Sequence, residues 1–118
     1  MNILILGSGV VGANLAQKLS EQGKNVFLLD DDANELKNLS ERYDIKTIFD
    51  DPLNPSFYKN FNSKIDYFIA VTRSDEKNLI TSKFAKEFLN VDKSIARIRN
   101  QNLISEDNKP LLLSLIHI

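Results

Sequence analysis

Three glycines, Gly7, Gly9 and Gly12, sit between the apolar run Ile3-Leu4-Ile5-Leu6 and a helix-patterned stretch that ends near Gln22. This spacing leaves the chain few options. Gly7 can adopt the backbone angles of a sharp turn off a strand, Gly9 has no side chain to hold the backbone away from a ligand, and Gly12 allows the following helix to pack closely against the sheet. Ser8, Val10 and Val11 fill the positions between them. The turn from Gly7 to Gly12 therefore presents bare N–H groups at a helix N-terminus. Those unpaired donors and the helix dipole together attract an anion such as phosphate.

A second apolar run, Val26-Phe27-Leu28-Leu29, follows the helix and ends at Asp30, eighteen residues beyond Gly12. A carboxylate there can accept both hydroxyls of an adenosine ribose and repels a 2′-phosphate. Strand, glycines, helix, strand and acid in this order form the dinucleotide-binding βαβ fingerprint. Asp30 could instead cap the next helix, but Asp31 and Asp32 are better placed for that task.

The alternation continues along the chain. Leu36, Leu39 and Tyr43 recur at helical spacing, and Ile45 to Phe49 forms a short strand. Asp50-Asp51-Pro52 and Asn54-Pro55 are turn chemistry, with Pro55 starting a short helix that carries Phe57, Tyr58 and Phe61. Asp66 to Val71 is nearly all apolar, as expected of a strand buried on both faces. Thr72-Arg73-Ser74 leads to a helix capped by Ser74 or Asp75, in which Leu79 or Ile80, Phe84 and Phe88 repeat. Ser94 to Arg99 is expected as a fifth strand with Ile95 and Ile98 inward. Five strands alternating with helices predict a single α/β domain, a Rossmann-like doubly wound parallel sheet.

The domain is expected over residues 1–110, and the apolar, uncapped run from Leu111 to Ile118 follows no pattern set before it. Leu113 to Ile118 reads as foreign to the natural chain, which would make this a truncated front end; a sixth strand is the alternative. His117 lies inside that run and receives no role.

Composition narrows the partners. Fifteen basic residues face sixteen acidic ones, so the net charge is −1 and nucleic acid is not expected as a partner. The chain has no cysteine, which removes disulfides and thiolate chemistry. The first strand begins directly after Met1, and no apolar run approaches the roughly eighteen residues of a membrane span, so a cytoplasmic protein with no direct membrane insertion is expected.

Several blocks are more specific than the glycines: Met-Asn-Ile-Leu-Ile-Leu-Gly-Ser-Gly at the start, Ala70-Val71-Thr72 with Asp75-Glu76 and Asn78, and Ile95-Ala96-Arg97-Ile98-Arg99. From Met1 to about Asn100 the chain resembles the N-terminal nucleotide-binding domain of Trk-type potassium-uptake regulatory subunits, the RCK or KTN domains. The resemblance implies a regulator with no catalytic residue and no metal, which binds NAD(H) or adenine nucleotides such as ATP and ADP. It implies homo-oligomers, dimers or rings of dimers, beneath a membrane-embedded potassium transporter subunit at the inner face of the cell membrane.

Carried over residue by residue, the resemblance puts Gly7, Ser8, Gly9, Val10, Val11 and Gly12 at the pyrophosphate and Asp30 at the ribose. Asp31 and Asp32 flank the pocket, and Thr72 lines it at the carboxyl edge of the sheet. Where many members carry Gly-Asp after the third strand this chain has Asp50-Asp51, with Asp51 at the position of adenine contact. Val10 and Val11 cannot offer the arginine that some ATP-responsive members place there, which favours NAD(H). Arg97 and Arg99 alternate with Ile98; one of them reaches a phosphate or a neighbouring subunit, or both pair with surface carboxylates. A truncated cofactor domain of an NAD-dependent dehydrogenase or reductase is the competing assignment.

Overall fold

A computed structural model describes residues 1–100. The expected tail from Leu111 to Ile118 lies outside the described residues. Five parallel strands, β1 (Asn2–Leu6), β2 (Asn25–Asp30), β3 (Lys46–Phe49), β4 (Tyr67–Ala70) and β5 (Lys93–Ala96), form one sheet in the order β3-β2-β1-β4-β5. The chain works outward from β1 to β3, then returns to place β4 on the other side of β1. This reversal opens a crevice at the carboxyl ends of β1 and β4, the place where open α/β sheets take ligands.

Each central strand is apolar on both faces, and each face has its own helices. Ile3, Ile5, Val26 and Leu28 pack with Ala16 of α1 (Val10–Glu21) and with Leu36 and Leu39 of α2 (Ala33–Arg42). Leu4, Leu6, Phe27, Leu29, Phe68 and Ala70 meet Tyr58 of α3 (Pro55–Lys59) and Ala85, the residue after α4 (Asp75–Phe84). Fully burying such a leucine or isoleucine stabilises the fold by about 1.5–3 kcal/mol, so two apolar faces hold the doubly wound architecture together.

Side chains close the helix starts as the sequence implies. The carboxylate of Asp32 accepts from Glu35 N–H at 3.2 Å, Asn54 Oδ1 from Ser56 N–H at 3.0 Å and Ser74 Oγ from Lys77 N–H at 3.1 Å. Helix α1 is the exception, because its cap is Gly9 and no side chain serves it.

Three expectations need correction. Phe61 lies beyond the end of α3, where its ring meets that of Phe27 edge to face with the centroids 5.5 Å apart. Helix α4 continues into a π-helical turn over Ala85–Leu89, closed by Asn90 in the left-handed region at φ 52°. Strand β5 stops at Ala96, and Ile95 is turned outward with 46% of its surface exposed. The face of β5 toward α4 carries Ser94 and Ala96 instead, and Ser94 Oγ donates to the carbonyl of Ser82 at 2.7 Å. A helix that buries Asn78, Thr81, Ser82 and Ala85 comes too close to the sheet edge to admit isoleucine.

Candidate functional site

The turn after β1 has its conformation set by two glycines. Gly7 has a φ of 116°, and a Cβ there would press to 3.2 Å against Thr72 N and the Val71 carbonyl. A Cβ on Gly12 would overlap the Gly7 carbonyl oxygen, so the helix start nests under the turn itself. At Gly9 the space is open, and a Cβ would meet no atom within 4 Å. The first helical bond runs from Ala13 N–H to the Gly9 carbonyl at 2.8 Å. The N–H groups of Val10, Val11 and Gly12 therefore precede the helical ladder, with Val10 and Val11 exposed and Gly12 buried. No acidic side chain occupies this first turn, so its partial positive charge is available to an anion.

Asp30 closes one side of the site. Its Oδ2 accepts from Ser8 N–H at 2.6 Å and Ser8 Oγ–H at 2.7 Å, and its Oδ1 accepts from the amides of Asp31 at 2.7 Å and Asp32 at 3.0 Å. Partial burial pushes this carboxyl up, but the bonds from Ser8 and Asp31 outweigh it and hold the group below its ordinary value. It is ionised at neutral pH, aimed at the glycine turn and unsuited to a phosphate.

The opposite wall is built by the start of α4. Asn78 is fully buried and uses its whole amide: Oδ1 accepts from Thr72 N–H at 3.0 Å and Thr72 Oγ1–H at 2.6 Å, while Nδ2 donates to the carbonyls of Thr72 at 3.1 Å and Arg97 at 2.9 Å. Asp75 holds the next residues, accepting from Arg99 N–H at 2.9 Å and Asn100 N–H at 2.7 Å. The Arg99 amide keeps the Asp75 carboxyl below its usual value, against the upward push of burial and with help from the Asn100 amide.

Between these walls lies a cleft of about 950 Å³. Gly7, Ser8, Gly9, Val10, Val11, Asp30, Asp31, Thr72 and Arg97 all line it. The acidic groups Asp30, Asp31, Asp32 and Glu35 line it from the end of β2 to α2, with the single cation Arg42 on that side, and Arg73, Lys77, Arg97 and Arg99 line it from the far side. A ligand with hydroxyls at one end and anionic oxygens at the other matches that division of charge. Gly12 lies behind the turn, and Asp51 stands apart from the cleft, with its Oδ1 accepting from Leu53 N–H at 3.0 Å. A smaller cavity of about 640 Å³ lies against β3 and α3, walled by Phe27, Ile48, Phe57 and Phe61 away from the glycine turn.

The model of the TrkA-N domain matches residues 3–108. The chain belongs to this family. A Trk system potassium uptake protein TrkA of Haemophilus influenzae is 33% identical to it over 110 residues, which are 92% of this chain and 24% of that protein. This TrkA-N chain thus spans about a quarter of the length of that curated relative. Among solved structures, the NAD(P)-binding domain of an exopolyphosphatase-related protein from Archaeoglobus fulgidus superposes with a TM-score of 0.78 at 21% identity, covering 97% of this chain and 81% of that one. A GsuK channel bound to NAD superposes with a TM-score of 0.67 at 18% identity, covering 78% of this chain and 17% of that one. These two likenesses establish the fold of the TrkA-N domain.

From the sequence, Asp75 is an alternative to Ser74 as helix cap, and Asn78 has no physical task of its own. Their signal was present in the spacing Thr72…Asp75…Asn78, which places a threonine, an acid and an amide at a strand end and on the first turns of a helix. No helix among the described residues is long and apolar enough to cross a membrane.

Proposed function

We propose that residues 1–110 are the nucleotide-binding domain of a regulatory subunit of a potassium uptake system, and that the site holds NAD(H). ADP and ATP compete for it. The reading rests on one observation above the others: the charge-divided cleft pairs a bare helix N-terminus with Asp30 on one side and Arg97 on the other. The α1 amides and Arg97 would hold the phosphates, Asp30 the ribose diol and Thr72 the edge of the site. The bound nucleotide supplies no reaction here; it supplies binding energy that differs between two arrangements of the domain. Occupancy shifts the balance between them only by that difference in affinity.

The relatives are named for potassium uptake, which supports a cytoplasmic position beside a membrane-embedded transporter subunit, in dimers or rings of dimers. A dehydrogenase or reductase would share the fold, but it also requires a substrate-holding domain and a proton donor beside the nicotinamide. Family membership favours the regulator. Calorimetric titration with NAD, NADH, ADP and ATP tests the site: saturable binding of at least one supports it, and no heat from any of them at millimolar concentration overturns it. Loss of potassium uptake at low external potassium on deletion of the gene tests the regulatory role, and unchanged uptake refutes it.

A further inference from the structure

We infer that Asn78 is a positioning residue of the nucleotide site, holding the Thr72 hydroxyl and the Arg97 backbone in one rigid unit across the cleft. The inference rests on the nucleotide reading above and extends it to a residue that touches no ligand. Asn78 is 0% exposed, and its amide can accept two bonds and donate two. All four are made, and every one goes to Thr72 or Arg97.

The orientation of this amide follows from the network. Reversing it would set its NH2 against the N–H of Thr72, donor against donor, and leave two carbonyls facing an oxygen. The side chain therefore has a single satisfied state. It ties together two segments nineteen residues apart, Asn78 on α4 and Arg97 beyond the end of β5, with Thr72 at the end of β4.

Arg97 follows the last residue of β5 and has left the regular ladder, although its own N–H still reaches the Ala70 carbonyl at 2.9 Å. Its carbonyl is the part that Asn78 holds. Without that bond, Arg97 itself would keep only its link to Ala70, the next hold on the segment being the Arg99 and Asn100 amides on Asp75. A long cationic side chain on such a segment loses the fixed origin that makes a phosphate contact directional. The Thr72 hydroxyl, which also accepts from Ser74 N–H at 3.2 Å, would lose its shorter acceptor at 2.6 Å and turn its proton to the Ser74 carbonyl at 3.2 Å.

The test compares NAD with adenosine, which carries the ribose and base but no phosphate. In the full chain, Asn78→Ala should weaken NAD by about tenfold, the scale of one misplaced charge-assisted contact, and leave adenosine within about twofold. Arg97→Ala should do the same, and the double variant should be no weaker than the poorer single one. Equal losses for NAD and adenosine would show a general structural role and overturn the inference, as would fully additive losses. Should Asn78→Ala fail to fold, the wild type decides: the Asn78 side-chain NH2 resonances should shift on adding NAD and stay in place with adenosine. Identical responses to the two ligands, or none, refute the proposal. Absence of NAD binding by the wild type is a different result and counts against the nucleotide reading itself.

Discussion

One oxygen of Asp30 takes both the amide proton and the hydroxyl proton of Ser8, at 2.6 and 2.7 Å. The carboxylate that the fingerprint assigns to a ribose thus also locks the glycine turn to the end of β2. Removing it should affect ligand choice and stability together. Asp30→Ala is expected to weaken NAD by about tenfold or more, as charge-assisted bonds to the diol are lost, and to narrow any preference for NAD over NADP. Because the folded carboxyl is held below its ordinary value of 3.8, the stability it contributes is complete above that pH and falls away as the pH drops through the lower folded value. Thermal melts between pH 6 and about pH 2 should show a steeper acid loss for wild type than for Asp30→Asn. Equal slopes would remove the assigned coupling.

The glycines separate fold from ligand. At Gly12 a methyl group would overlap the Gly7 carbonyl oxygen, so Gly12→Ala must displace α1 or the turn, and should destabilise by about 1–3 kcal/mol or more. Gly9→Ala meets open space and has an ordinary extended backbone, so its stability should change by less than about 1 kcal/mol. Its methyl group would nevertheless stand where a phosphate approaches the helix N-terminus. Urea unfolding should therefore single out Gly12→Ala, and calorimetry should show NAD binding lost in the folded Gly9→Ala variant. Tight NAD binding by Gly9→Ala would contradict the placement of the pyrophosphate.

The βαβ unit was legible because its constraints are local. Gly7 must turn, Asp30 must end an apolar strand, and Asp32 and Ser74 have side chains that can cap only a helix start. The apolar run from Asp66 to Val71 also needs no knowledge of its neighbours. Strand β5 did, because an edge strand covered by a close helix admits Ser94 and Ala96 inward and turns Ile95 out, which reverses the expectation from hydrophobicity. Asn78 stood out as part of a block, but its task was hidden for a related reason. Its four partners lie at the end of β4 and beyond the end of β5, and no pattern within α4 reveals a bond formed only when those strands become neighbours.

Tyr58 joins α3 to the turn after β3, donating its buried hydroxyl to the Pro52 carbonyl at 2.7 Å. Tyr58→Phe removes the donor and leaves that carbonyl unsatisfied, at a cost of about 1–3 kcal/mol in urea unfolding. Burial, with the nearby charges of Asp51 and Asp50, pushes the phenol above its ordinary value of 10.0. Its contribution is therefore complete below pH 10.0 and declines as the pH rises above that value. Wild type should lose stability in that alkaline range more steeply than Tyr58→Phe. Parallel curves would show that the hydroxyl is not held as described.

Asp75 offers a local test of the far wall. Its carboxylate accepts the amides of Arg99 and Asn100 and stays ionised to below its ordinary value of 3.8. Its hold on that segment is complete above pH 3.8 and is released as the pH falls through the lower folded value. Asp75→Asn keeps the shape of the side chain but replaces a charged acceptor of two amides with one neutral carbonyl and an NH2 that repels the second donor. Hydrogen exchange at Arg99 and Asn100 should accelerate by about tenfold or more, while amides of β1 and β4 in the centre of the sheet keep their protection. Arg99 lines the cleft, so NAD affinity should fall alongside. If exchange quickened across the whole sheet, Asp75 would be stabilising the domain as a unit. If it quickened nowhere, the two bonds would contribute nothing to holding the cationic wall against the site.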